Sequence, residues 1–354
     1  MKKLIIILII ILIALSSIAI IKGLILTDTE NNIFENKGNV SITVTGDIMF
    51  GRKMPGVLNT DESPFRYVSN VTGTSDILLV NFENPATTSG IAYKGDVPLK
   101  CSPNYVPLVK GANITVCALA NNHMFDYGEI GLNDTINVLD SEGIFHIGAG
   151  SNINDASKPV VINSSGRTIT ILNYMDSSNF AEYGQDVMPM AGENNSGYCA
   201  YSESLMRQQI SEARNNGSDF VIVFFHYGNE YSRSPNEAQV NMSHASIDAG
   251  ADIVLGAHAH VTQGIEMYKD KPIFYNLGNF IFDQSNPNTH RAYMVNIELV
   301  NNTAEVTVYP VNIINYLPHF MSPSEGTNLL NELNPQCPNM TITENGTGKL
   351  YYTL

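Results

Sequence analysis

Phe220-Val221-Ile222-Val223-Phe224-Phe225-His226-Tyr227-Gly228 is an unbroken apolar run that stops on a histidine and a glycine. A run this short and this apolar reads as a strand covered on both faces, the pattern of a parallel sheet shielded by helices. Working outward from it, the same device recurs. Downstream, residues 253–255 end in Gly256-Ala257-His258-Ala259-His260, and residues 273–276 lead into Leu277-Gly278-Asn279-Phe280. Upstream, residues 40–44 end at Gly46-Asp47, residues 76–80 at Asn81-Phe82-Glu83, and residues 114–120 at Asn121-Asn122-His123. Residues 169–174 are a further strand candidate. Helical spacing fills the intervals: 131–142, where Leu132, Ile136 and Leu139 lie near one face and Gly143 is a stop, then 202–215 and 236–249. Residues 293–300 and 304–310, joined through Asn301-Asn302-Thr303, predict an antiparallel hairpin. Strands alternating with helices predict an α/β protein. No repeat or long linker divides it, so one domain is expected over 40–318, with an irregular Pro- and Asn-rich appendage at 319–354.

Chemistry gathers at the carboxyl ends of these strands, where open α/β sheets form their sites. The residues delivered there are Asp47, Glu83, Asn122, His123, His226, His258 and His260. Taken singly, each has a bland reading: a strand-end Asp caps a turn, Asn-Asn makes one, and a lone His is a hydrogen-bonded structural residue. Taken together, their order and placement point to a metal centre. Mixed oxygen and imidazole donors suit Zn, Mn or Fe better than Ca or Mg.

Composition sets the bounds. The chain has 354 residues, 44% of them hydrophobic, enough to bury a sizeable core. Its formal net charge of -15 excludes bulk attraction to nucleic acid, which depends on Lys and Arg neutralising phosphates. An anionic substrate therefore needs a local positive centre, which bound metal would supply. At the N-terminus, Lys2 and Lys3 precede an apolar run over residues 4–21, near the roughly 20 residues that span a bilayer. The reading favoured for 1–26 is an uncleaved transmembrane anchor with the rest of the chain outside the cytoplasm; a cleaved signal segment, giving a secreted protein, is the rival. Residues 27–39 read as a linker. Asn-x-Ser/Thr sequences such as Asn39-Val40-Ser41 and Asn345-Gly346-Thr347 fit an outside location or simply an Asn-rich composition. Cys101, Cys117, Cys199 and Cys337 lack metal-type pairing; two disulfides and buried free thiols both remain open.

Six segments, in order, carry a family resemblance: Gly46-Asp47-Ile48-Met49, Asn81-Phe82-Glu83-Asn84-Pro85, Ala120-Asn121-Asn122-His123 with Asp126-Tyr127-Gly128, His226-Tyr227-Gly228 with Glu230-Tyr231, Gly256-Ala257-His258-Ala259-His260, and Leu277-Gly278-Asn279-Phe280. Over roughly residues 41–315 the chain resembles the capsule synthesis protein CapA family, the poly-γ-glutamate synthesis proteins of the calcineurin-like metallophosphoesterase superfamily. The resemblance implies a four-layer α-β-β-α sandwich of the metallophosphoesterase type. It also implies Glu83 as a carboxylate bridging two metals, Asp47 and His260 on the first, and Asn122, His226 and His258 on the second. His123 would be the general acid, oriented by Asp126. Arg52 is a candidate oxyanion clamp, or else a surface arginine. The departures are Met49 where the superfamily has a histidine, and Glu83 where it has an aspartate. The lost imidazole should weaken binding of the first ion, and with it the expectation that two ions bind rather than one. The function implied is an extracytoplasmic, metal-dependent phosphoesterase-like protein with metal-activated water as nucleophile, acting on a phosphoester or an anionic surface polymer, alone or in a membrane synthesis complex. The alternatives are a non-hydrolytic factor that tethers such a polymer and a metal-dependent amide or γ-glutamyl hydrolase.

Overall fold

The computed structural model describes residues 37–58, 62–95, 97–111, 113–178 and 187–354. The expected anchor at 1–26, and all of the linker but its last three residues, lie outside these. Among the described residues, no helix is long and apolar enough to cross a membrane.

The chain folds as mixed α/β, and the apolar runs explain how. Val40–Ile48, Ile77–Phe82, Ile114–Ala118 and Phe145–Ile147 pair in parallel, in that order. On the other side of Val40–Ile48 lies the antiparallel hairpin Arg291–Val300 and Thr303–Ile314. Its two-residue turn places Val300 opposite Thr303, with Asn301 at φ 53°, a left-handed conformation that Asn tolerates. A second sheet is ordered Ile265–Tyr268, Lys271–Phe274, Ile253–Ala257, Phe220–His226, Arg167–Met175, Val160–Ser164. Its four central strands run parallel, as the unbroken apolar run of Phe220–His226 requires.

One apolar cluster holds residues of both sheets, including Val44, Leu79, Phe224 and Leu255. The opposite face of each sheet packs into a cluster of its own: Leu132 and Leu139 of the helix Gly128–Ser141 against the first sheet, Met206 and Ile210 of Glu203–Asn215 against the second. The helix Glu237–Ala249 begins with a capping box between Asn236 and Gln239. The central strands are thus covered on both faces, as their composition demands.

The last segment differs from the expectation of an irregular appendage at 319–354. Pro323–Leu333 is a helix, and Gly348–Thr353 is a strand paired with Thr303–Ile314. The helix starts where Glu325 accepts the backbone N–H of Ser322 at 3.0 Å, with Pro323 in its first turn. Leu329, Leu330, Cys337, Leu350 and Tyr352 then fill the cluster between the sheets. Proline and asparagine set where these elements start and stop, while the apolar residues between them decide that they fold. All four cysteines are buried free thiols. Burial pushes Cys101 and Cys199 up to about 12 and Cys337 to about 11.

Candidate metal centre

Strand register brings the polar strand ends together. Asp47 lies opposite Asn81 on one side and Asn279 on the other, while His226 lies opposite Ala257, one residue before His258. Close approach of Asp47 to the Leu277-Gly278-Asn279 turn needs bare backbone. A Cβ on Gly46 would sit 1.8 Å from the Gly278 carbonyl oxygen, and that oxygen accepts the Asp47 N–H at 3.1 Å. His258 and His260 both have positive φ, 100° and 59°. Their loop therefore holds backbone conformations that cost of order 1–3 kcal/mol each, a pattern that clusters at functional sites.

The cluster these segments build is buried. Glu83, His226 and His258 each offer a donor atom within 4.8 Å of one another, and so do Asp47, Glu83 and His260. Glu83 belongs to both groups, and the groups match the two sets implied by the resemblance. Asn122 joins the first through its Oδ1, 2.9 Å from His226 Nε2. His260 Nδ1 lies 2.8 Å from Asn279 Oδ1. The Asn279 amide in turn donates to Gln284 Oε1 at 2.9 Å, which fixes its orientation. His260 Nδ1 therefore carries a proton, and Nε2, 3.8 Å from Glu83 Oε1, is the nitrogen that an ion would take once its proton leaves.

Electrostatics follow from burial. The Glu83 carboxyl is held well above its ordinary value, first by loss of water and then by Asp47 and Glu230 beside it. Burial, then neighbouring histidines, keep His226 and His258 neutral, well below the usual imidazole value. For His260, burial works against the charged form, but Asp47 outweighs it and the net shift is upward. Of the two buried carboxylates, Glu83 Oε1 has no hydrogen-bond partner, and Asp47 Oδ2 faces only His260 Nδ1, at 3.2 Å. Buried anions placed this way cost several kcal/mol unless a cation answers them. Neutral imidazoles, an amide oxygen and two carboxylates are the donor set of a divalent transition metal, so the residues fit the ion.

His123 stands at the edge of this cluster, 7% exposed. Its Nδ1 is 2.7 Å from Asp126 Oδ2, which also accepts the Leu99 N–H at 2.6 Å. Burial lowers its affinity for a proton, and Asp126 restores part of it. Met49 is wholly buried, and its sulfur accepts the Gly51 N–H at 2.9 Å. Arg52 is paired with Asp283 and lies over Phe282, 5.4 Å from the ring centroid. Phe282 packs 5.0 Å from the His260 ring, which puts Arg52 at the rim with its charge already engaged.

Sequence reasoning did not single out three residues here. Asn81 donates to Asp47 Oδ1 at 2.8 Å. It shares a strand face with Glu83 at a spacing of two, a signal that was present. Asn279 belongs to the Leu277-Gly278-Asn279-Phe280 segment, whose order gives it no role of its own. Lys94, 5% exposed, had no motif at all.

Comparison with known proteins bears on the family to which the chain belongs. Residues 41–284 match the family described as bacterial capsule synthesis protein PGA_cap. The chain is 35% identical over 284 residues to the capsule biosynthesis protein CapA of Bacillus anthracis, covering 77% of this chain and 67% of that one. It is 36% identical over 282 residues to the PGA biosynthesis protein CapA of Bacillus subtilis (strain 168), covering 77% and 72%. Among solved structures, the Haemophilus influenzae NAD nucleotidase is similar at a TM-score of 0.45 and 11% identity, covering 81% of this chain and 61% of that one. With its matched segment spanning the strand ends from Asp47 to His260, this chain belongs to the bacterial capsule synthesis protein family PGA_cap.

Proposed function

We propose that this protein serves poly-γ-glutamate-type capsule synthesis as an extracytoplasmic, metal-dependent phosphoesterase-like hydrolase, held at the membrane by its N-terminal apolar run. The observation that carries the reading is Glu83, a fully buried carboxylate common to two donor groups. Asp47, Glu83 and His260 would hold one ion, and Glu83, Asn122, His226 and His258 a second. The names of the Bacillus relatives supply the capsule and PGA context.

When bound, such ions supply Lewis acidity and an activated water at neutral pH. The chain's own residues do the rest. Asn279 and Asn81 fix His260 and Asp47, so the donors are in place before any ion arrives. Asp126 holds the His123 Nδ1–H, leaving Nε2 as the atom that exchanges a proton with a departing oxygen. Because burial favours the neutral ring, His123 gains its proton most readily once an anionic substrate stands beside it. The low exposure of the whole group excludes bulk water and strengthens each of these interactions.

Met49, with its sulfur taken by Gly51, leaves three donors in the Asp47 group and favours a second reading, in which one ion grips an anionic polymer without cleaving it. Metal analysis of the purified domain, paired with phosphoester and γ-glutamyl hydrolysis screens, decides. Metal together with phosphoester turnover supports the enzyme. Metal with polymer binding and no turnover supports the tether, and turnover confined to γ-glutamyl bonds supports an amide hydrolase. A domain that takes up no divalent ion removes all three.

A further inference from the structure

We propose that Lys94 is an anion-binding residue of this centre, its ammonium group holding an anionic oxygen of the substrate beside His123. The proposal rests on the metal-centre reading above.

Histidines apart, two basic side chains are buried among the described residues, Arg167 at 2% and Lys94 at 5% exposure. They do different things. Arg167 begins its strand, at the sheet edge away from the ligand-bearing ends. It donates to the carbonyls of Gly38 and Asn301 at 2.8 and 2.6 Å, which ties chain segments together. Lys94 lies at the ligand-bearing end. Its segment runs against the 121–126 turn: the Tyr93 N–H donates to Asp126 O at 2.8 Å, and the Leu99 N–H to Asp126 Oδ2. Its Nζ donates to the Asn122 carbonyl at 3.3 Å and lies 4.0 Å from Asp126 Oδ1. The ammonium thus sits against the residue before His123 and against the carboxylate that orients His123.

Its charge is felt across the cluster. Lys94 works against protonation of His123, His226 and His258, and favours the ionised form of Glu83. Ions held by Asp47 and Glu83 would offset those two carboxylates, but Asp126, on the His123 side, and Glu230 still repel an anion. In a chain with 19 basic and 34 acidic residues, a buried lysine beside the proton-transfer histidine supplies the missing sign. Lysine suits this position, because a compact ammonium with three donors on a flexible stem answers one oxygen without demanding planar geometry. That oxygen is a phosphoryl oxygen if the substrate is a phosphoester and a carboxylate oxygen if it is a glutamate polymer.

The test uses Mn-loaded protein, with binding of inorganic phosphate and of γ-linked triglutamate measured by calorimetry for the wild type, Lys94→Met and Lys94→Arg. Lys94→Met is expected to weaken binding of at least one probe by about tenfold or more, the equivalent of one charge-assisted hydrogen bond. Lys94→Arg should stay within a few-fold of wild type, and both variants should keep their Mn and melting midpoint. The probe that loses affinity identifies the oxygen's source. Unchanged affinity for both probes in a Mn-loaded Lys94→Met overturns the proposal. Loss of Mn from that variant also overturns it, because Lys94 would then merely brace the 121–126 turn. A wild-type protein that takes up no Mn fails earlier, at the metal-centre reading itself.

Discussion

Replacing Glu83 with glutamine should make the metal-free protein more stable and the metal-bound protein less so. Glu83 is fully buried with Oε1 unpartnered, and Asn81 reaches Oε2 only at 3.4 Å. Burial and the facing Asp47 hold its carboxyl well above 4.5. Glutamine keeps the shape and removes the charge, so the metal-free protein should gain about 1–3 kcal/mol, the penalty of an uncompensated buried polar group. At about 2.1 cal/mol/K per residue over roughly 300 residues, each kcal/mol moves the melting midpoint by about 1.5 °C, giving a rise of about 2–5 °C. The pH dependence has a fixed sign. Below the unfolded value of 4.5 the group is protonated in both states and the penalty vanishes. As pH rises towards the raised folded value, the unfolded chain gives up its proton first, stability falls, and the advantage of glutamine grows. Metal reverses the order: at about 100 times Kd an ion stabilises the wild type by about 2.7 kcal/mol, and the variant by far less. Thermal melts at pH 5 and 7.5, with chelator and with Mn, read all four corners. A metal-free Glu83→Gln that melts no higher than wild type at pH 7.5, yet answers Mn equally, would falsify the account of Glu83 as a carboxylate strained for want of a cation.

Other expectations concern separate parts of the molecule. His123→Ala should abolish hydrolysis while bound metal, measured by elemental analysis, stays near the wild-type value; equal loss of metal would make His123 a ligand instead. Gly46→Ala, whose Cβ would meet the Gly278 carbonyl at 1.8 Å, should displace Asp47 and lower both melting midpoint and metal uptake; an unaffected variant would show that the two turns can separate freely. Leu350→Ala, at a wholly buried position, should cost about 2–5 kcal/mol in denaturant titration, whereas a dispensable tail would give almost none. Cys101, Cys117, Cys199 and Cys337 should resist a thiol reagent at pH 8 until the protein unfolds, since the thiolate is the reactive form and burial disfavours it; rapid labelling of folded protein would contradict this.

The polar cluster at the strand ends was legible because two local signals coincide there: an apolar run that must be buried, and a polar residue that stops it. Asp47, Glu83, His226 and His258 each carry both. Lys94 was not legible, since its loop has no periodicity and its role arises from a tertiary contact with the 121–126 turn. The C-terminal segment was misread because Pro and Asn were weighed above spacing. Ser322-Pro323-Ser324-Glu325 is a helix start, and Leu329, Leu330 and Leu333 form a stripe at spacings of three and four. Arg52 reads from sequence as a candidate oxyanion clamp or a surface arginine, and only Asp283, far along the chain, reveals that its charge is already engaged.

The cluster between the sheets joins Val40 to Leu350 and Tyr352. A polymer in which a core is shared by strands roughly 300 residues apart cannot mature progressively from one end. Loop-closure entropy across nearly the whole sequence must be overcome before that burial gives anything back, which predicts slow folding, with intermediates that expose sticky strand edges to their neighbours. For this protein residues 348–353 act as the keystone, and a chain deprived of them leaves an arch that does not stand.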